Sequence, residues 1–198
     1  MKVTAGNKTG IPKSISHVVG FDDAPFNHHN RRDVLIVGAV FAGLRMDGVL
    51  SAYVRRDGVN STAVLTNLIK NSRFYPQLQA VLLQGIAFAG FNVIDIEKLH
   101  ETVGLPVIVF SRNKPNLAKI KSALLENVPG GRKKWQLIEK AGLMEKIGGV
   151  YVQRVGINKE STVALITRFA IHSTIPEPLR AAHLIAGGVT VGESRHRV

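Results

Sequence analysis

The sequence predicts an α/β protein built on one mixed sheet. Short, fully apolar runs rich in β-branched residues recur along the chain. Two of the early runs flank a tight-turn signal. Beyond residue 60 such runs alternate with segments of helical period. Apolar strands separated by helices imply parallel strands covered on both faces, and a preceding meander makes the sheet mixed.

The elements follow in order. Residues 1–16 are polar, with Gly6, Gly10 and Pro12, and read as a loose arm. His17–Phe21 is a short strand that runs into Asp22, Asp23 and Pro25. Val34–Leu44 is a second strand, and Asp47-Gly48 signals a hairpin to a third over Val49–Val54. Ser61–Asn71 carries Val64, Leu65, Leu68 and Ile69 at helical spacing. Ala80–Leu83 is a buried strand, Ile94–Val103 a helix stopped by Gly104, and Pro106–Phe110 another buried strand. Asn116–Leu125 and Lys133–Met144 read as helices, Val150–Val152 as a strand, and Lys159–Ile171 and Glu177–Ala186 as helices. The expected architecture is a three-strand meander followed by β-α-β-α, with helices on both faces. Residues 17–198 form a single domain.

The 198 residues carry 26 Lys and Arg against 14 Asp and Glu, a net charge of +12. The excess is concentrated late, with 15 basic and 6 acidic side chains over residues 112–198. Such a surface favours a polyanionic partner, nucleic acid first, although solubility alone also accounts for it. No cysteine is present, which excludes disulfides, iron–sulfur clusters and thiolate zinc sites. The start shows no apolar secretory segment, and no apolar run approaches the ~18 residues of a membrane span. The expectation is a soluble cytoplasmic protein without membrane contact, its oligomeric state open.

Four places hold candidate chemistry. Asp22 and Asp23 end the first strand, where carboxylates hold Mg²⁺ in many hydrolases; a plain turn fits the same residues. Gln84–Asn92 is a loop of small residues in which Phe88 and Phe91 suit base stacking, or simple packing. Thr174 and Glu177 have the spacing of a capping box, and His183 lies on the core-facing stripe of the helix that follows. Among the basic clusters, Arg31-Arg32, Arg55-Arg56, Arg132-Lys133-Lys134 and Arg195-His196-Arg197, the third adjoins Trp135. Cations beside an aromatic ring suit a phosphate backbone with stacked bases. His28 and His29 lack metal-ligand spacing.

His17–Phe26, Ala80–Ile96, Leu105–Val109, Pro176–Ala186 and Gly192–Arg195 together resemble the mainly archaeal family called domain of unknown function ninety-nine, a distant relative of endonuclease V. The resemblance implies a ribonuclease-H-like fold and Mg²⁺-dependent cleavage near deaminated adenine. It places the first metal-binding Asp on Asp22 and the late-helix histidine on His183. The family's second metal-binding Asp falls on Gln84, and its helix-start acidic residue on Ala63, with Asp57 as the alternative position. A neutral amide at 84 and a methyl at 63 weaken any hold on a divalent cation. The reading is therefore nucleic-acid binding with a degraded catalytic site and Mg²⁺ held weakly or not at all. The alternatives are an active Mg²⁺-dependent endonuclease completed by Asp23, Asp57 or Glu193, and an interaction protein without nucleic acid.

Overall fold

The computed structural model describes residues 14–27 and 32–194. Strand β1 (His17–Asp23) pairs antiparallel with β2 (Val34–Ala42), and β2 with β3 (Arg45–Val54). On its other side β1 pairs parallel with β4 (Ala80–Gln84), and β4 with β7 (Val107–Ser111). Antiparallel β9 (Val150–Val155) and β8 (Glu145–Ile147) close a seven-stranded sheet of order β3-β2-β1-β4-β7-β9-β8. A separate two-stranded ribbon joins β5 (Ala87–Phe88) to β6 (Asn92–Val93). The mixed α/β class and the opening meander are as the sequence predicts.

The period of two along each strand divides the core between the sheet's faces. Val18, Leu82, Ile108 and Phe110 face α5 (Lys159–Phe169) and α6 (Glu177–Val191), where Phe169, Leu179 and Ala182 meet them. Val19, Phe21, Val81, Leu83 and Val109 face the other way, towards Leu65 and Ile69 of α1 (Ser61–Lys70) and Leu99 of α2 (Ile96–Val103). A smaller cluster of Val93, Leu124 and Ile138 holds α3 (Leu117–Asn127) and α4 (Gly131–Lys140) against the ribbon. Phe21, Phe88, Phe110 and Phe169 are fully enclosed. Each such side chain contributes about 1.5–3 kcal/mol through burial.

Gly20 sets the distance between β1 and α6. A Cβ there would stand 2.5 Å from the carbonyl carbon of Pro178 and 2.7 Å from the amide of Leu179. Hydrogen in place of that methyl lets the helix backbone press onto the strand.

Several expectations are corrected. Asp22 and Asp23 are strand residues paired with Val37 and Ile36, so the turn reading fails. The hairpin turns at Gly43-Leu44, not at Asp47-Gly48. Asp47 instead occupies a bulge between the Val40–Gly48 and Phe41–Met46 pairs, with its carboxylate on Arg45 Nε at 2.7 Å. Helix α4 ends at Lys140, and the remainder of the helix expected to Met144 gives way to a loop before β8. The capping box is absent. Glu177 is the first residue of α6, and its carboxylate meets Arg180 Nε at 2.9 Å and His172 Nδ1 at 3.1 Å. Residues 1–13 of the expected arm, His28, His29, Arg31 and the Arg195-His196-Arg197 cluster lie outside the described residues. Among the described residues no helix is long and apolar enough to cross a membrane.

Candidate functional site

The parallel register brings the candidate residues to one end of the sheet. Phe21 stands opposite Leu83, so Asp22 and Gln84, one step further on, leave adjacent strands on the same face. That is the α6 face, since Val18 and Leu82 of the same strands pack there. One helical turn past Leu179, α6 delivers His183, whose Nδ1 lies 2.8 Å from Asp22 Oδ2. Asp22 is 5% exposed, and its Oδ1 accepts from the amide of Asp23 at 2.9 Å. Burial raises the pKa of Asp22, and the bonds from His183 only partly offset that push. Gln84 Oε1 is buried and has no hydrogen-bond partner among the described residues.

Asp23, the next residue of the strand, points to the opposite face. Its Oδ2 accepts from the amide of Ala89 at 2.7 Å. Burial and the neighbouring Asp22 charge push its pKa up to about 7. Ala89, at φ +48°, is also the start of a polar chain across the molecule. Its carbonyl accepts from the amide of Asp57 at 2.9 Å, and the Asp57 carbonyl accepts from Lys134 Nζ. The Asp57 carboxylate accepts from the amide of Phe91 at 2.8 Å and pairs with Arg56. The carboxylate is thereby occupied in fixing the 85–91 loop.

The remaining candidates separate. Phe88 is wholly enclosed, so its ring is core and not a stacking platform. Phe91 is half-buried beside α3 and α4. Ala63 is exposed on α1 and lines a cleft facing α2 and α4, away from Asp22. Arg132 and Lys133 are exposed, whereas Lys134 is 2% exposed and turned inward to Asp57. The three residues therefore do not form one phosphate-facing patch. Trp135 packs half-buried between α3 and α4, with Lys121 Nζ 5.2 Å above its ring. Its face is already taken by a cation. What sequence reasoning missed is Lys134 as an internal tether. Its place one helical turn before Ile138, on the buried side of α4, was the available signal.

The donor set does not fit a two-metal centre. Asp22 brings one carboxylate, His183 an imidazole and Gln84 a neutral amide. Asp23 faces away and Asp57 is engaged elsewhere. Among the described residues no group of three or more His, Asp or Glu side chains is placed to hold a metal ion. Mg²⁺ gives up its water reluctantly and needs charged oxygens to do so.

A profile of one family covers residues 14–190, nearly the whole described chain, and is that of endonuclease dU. The chain belongs to the endonuclease dU family. Its relatives include a UPF0215 protein of Deinococcus radiodurans, 54% identical over 180 residues that cover 91% of this chain and 92% of the relative. A UPF0215 protein of Methanosarcina barkeri is 45% identical over 183 residues, covering 90% and 92%. Among solved structures, a protein of unknown function from Archaeoglobus fulgidus superposes with a TM-score of 0.82 at 30% identity, covering 88% of this chain and 98% of that one. Human endonuclease V superposes at 0.54 with 18% identity over 87% and 83%. Endonuclease V of Ciona intestinalis, solved with inosine-containing DNA, superposes at 0.53 with 14% identity over 85% and 82%. At those identities the endonuclease V likeness establishes the fold. This endonuclease dU family member has the ribonuclease-H-like sheet that the resemblance across residues 17–195 implied.

Proposed function

We propose that this endonuclease dU family member binds nucleic acid containing a deaminated base at the Asp22–His183 strand ends, and that it does not cleave by the two-metal route. The carrying observation is that Asp22 stands beside the neutral amide of Gln84 on adjacent strands, with no group of three or more His, Asp or Glu side chains placed to hold a metal ion among the described residues. The family name and the DNA-bound endonuclease V neighbour supply the substrate class. Charge supports it, since residues 112–198 alone carry 15 basic against 6 acidic side chains.

The site's own residues suit recognition. The 2.8 Å contact between His183 Nδ1 and Asp22 Oδ2 orients the imidazole at the strand ends. Gln84 brings an amide with both donor and acceptor groups, and its unpartnered oxygen lies at the same strand ends. A deaminated base presents a carbonyl oxygen beside a ring N–H, which an amide matches.

The test uses single-stranded DNA carrying one deoxyuridine, one deoxyinosine or neither, with Mg²⁺ or Mn²⁺ present throughout. Fluorescence anisotropy should show tighter binding to a deaminated strand, weakened in Gln84→Ala. Denaturing gels should show uncut strands. Cleavage by the wild type that disappears in Asp22→Asn would overturn the non-catalytic reading. Equal affinity for all three strands would overturn the base-recognition reading.

A further inference from the structure

A second concave site lies on the other face of the molecule. Helices α1, α2 and α4 enclose a cleft of about 820 Å³. That volume suits a drug-sized organic ligand. Its walls combine two chemistries. Val59, Ala63 and Leu137 form apolar surface. Lys98 and Lys133 stand at the rim, both exposed, and their ammonium groups have no ion-pair or hydrogen-bond partner among the described residues.

The other two lysines of the cleft are committed. Lys140 Nζ is held by Glu97 at 2.9 Å and Asp95 at 3.3 Å. Lys134 Nζ is bound to the Asp57 carbonyl. Among the described residues Asp95 is the one carboxylate in the lining, and it is already engaged by Lys140 and by the amide of Lys98 at the start of α2. An anion entering between Lys98 and Lys133 therefore displaces no existing ion pair. Thr66 and Gln136 add neutral donors to the same wall.

We propose that this cleft binds a nucleotide, its phosphate between Lys98 and Lys133 and its base against Val59 and Leu137. A free mononucleotide and one nucleotide of a strand present the same groups, so the chemistry is common to both sources. The site is distinct from the Asp22–His183 pair, which faces α6 across the sheet. Mononucleotide binding here does not depend on what the strand ends do.

The experiment is calorimetric titration of the full chain with deoxyuridine monophosphate, with deoxyuridine, and with a 12-residue oligodeoxythymidine. The wild type should bind the monophosphate at least tenfold more tightly than the nucleoside. Lys98→Ala/Lys133→Ala should remove that difference. Val59→Glu, at a position 80% exposed, should weaken binding without threatening the fold. For the oligonucleotide, loss of the one phosphate contact that the two lysines share should lower the slope of log affinity against log salt by about 0.7. Monophosphate binding that the lysine variant abolishes assigns the cleft to free nucleotides. A changed oligonucleotide slope without monophosphate binding assigns it to a strand. If neither ligand responds to either variant, the proposal is wrong.

Discussion

At the residue scale the decisive position is 84. An amide beside Asp22 avoids the repulsion that two carboxylates at adjacent strand ends would suffer without a cation. Gln84→Asp should therefore lower the melting temperature of the metal-free protein. Mn²⁺ should raise it again, because a ion that binds only the folded state stabilises that state. The wild type should respond less. Differential scanning fluorimetry of both proteins with and without Mn²⁺ decides. Equal metal-dependent shifts would show that the native site already binds the cation. Asp23 carries a pH term of definite sign. Its folded pKa, about 7, lies above the ordinary carboxyl value of 3.8, so the native state binds this proton more tightly than the unfolded chain. The resulting stability is full below the ordinary value, shrinks as pH rises, and is gone above about 7. Thermal unfolding should show a decline from pH 5 to pH 8 that is shallower in Asp23→Asn. Identical slopes in the two proteins would remove Asp23 from the account.

At the scale of elements, α6 is what turns a strand-end carboxylate into a paired group. Helix and strand approach at Gly20, and the clash predicted for a Cβ is with backbone atoms of Pro178 and Leu179, which cannot rotate away. Gly20→Ala should cost roughly 1–3 kcal/mol, the usual range for overpacking. It should also loosen the His183–Asp22 bond, since His183 rides on the helix that must move. Chemical denaturation measures the first effect and the His183 ring resonances the second. A stability unchanged in Gly20→Ala would mean that α6 sits further from β1 than described. On the opposite face, the chain from Asp23 through Ala89 and Asp57 to Lys134 ties α4 to the strand ends. A lysine in the middle of a basic run thus serves as an internal tether.

Over the whole molecule, the net charge of +12 predicts that association with a nucleic acid depends on salt. Affinity for a short single strand should fall steeply between 50 and 200 mM salt, concentrations spanning the range where counterion release dominates. Filter binding across that range checks it, and a flat response would leave the charge to solubility alone. The cations are not one patch. Lys133 opens to the α1/α2/α4 cleft, Lys134 is internal and Lys121 covers Trp135.

The sequence by itself determined the sheet's core strands and most helices. Runs such as Ala80–Leu83 and Pro106–Phe110 have no polar face to expose, and they are too short for a helix, so they read as buried strands. It also determined the family likeness, and it places a neutral amide, Gln84, at the end of β4. The β5–β6 ribbon and β8 escaped it, because elements of two or three residues carry no measurable period. The hairpin position escaped it as well, since a bulge absorbed the Asp-Gly pair inside the strand. Only the tertiary structure decided which candidate residues meet. Consecutive strand residues point to opposite faces, so Asp22 and Asp23, adjacent in sequence, were parted. Asp22 and His183, 161 residues apart, were joined because a glycine lets one helix lie close against the central strand.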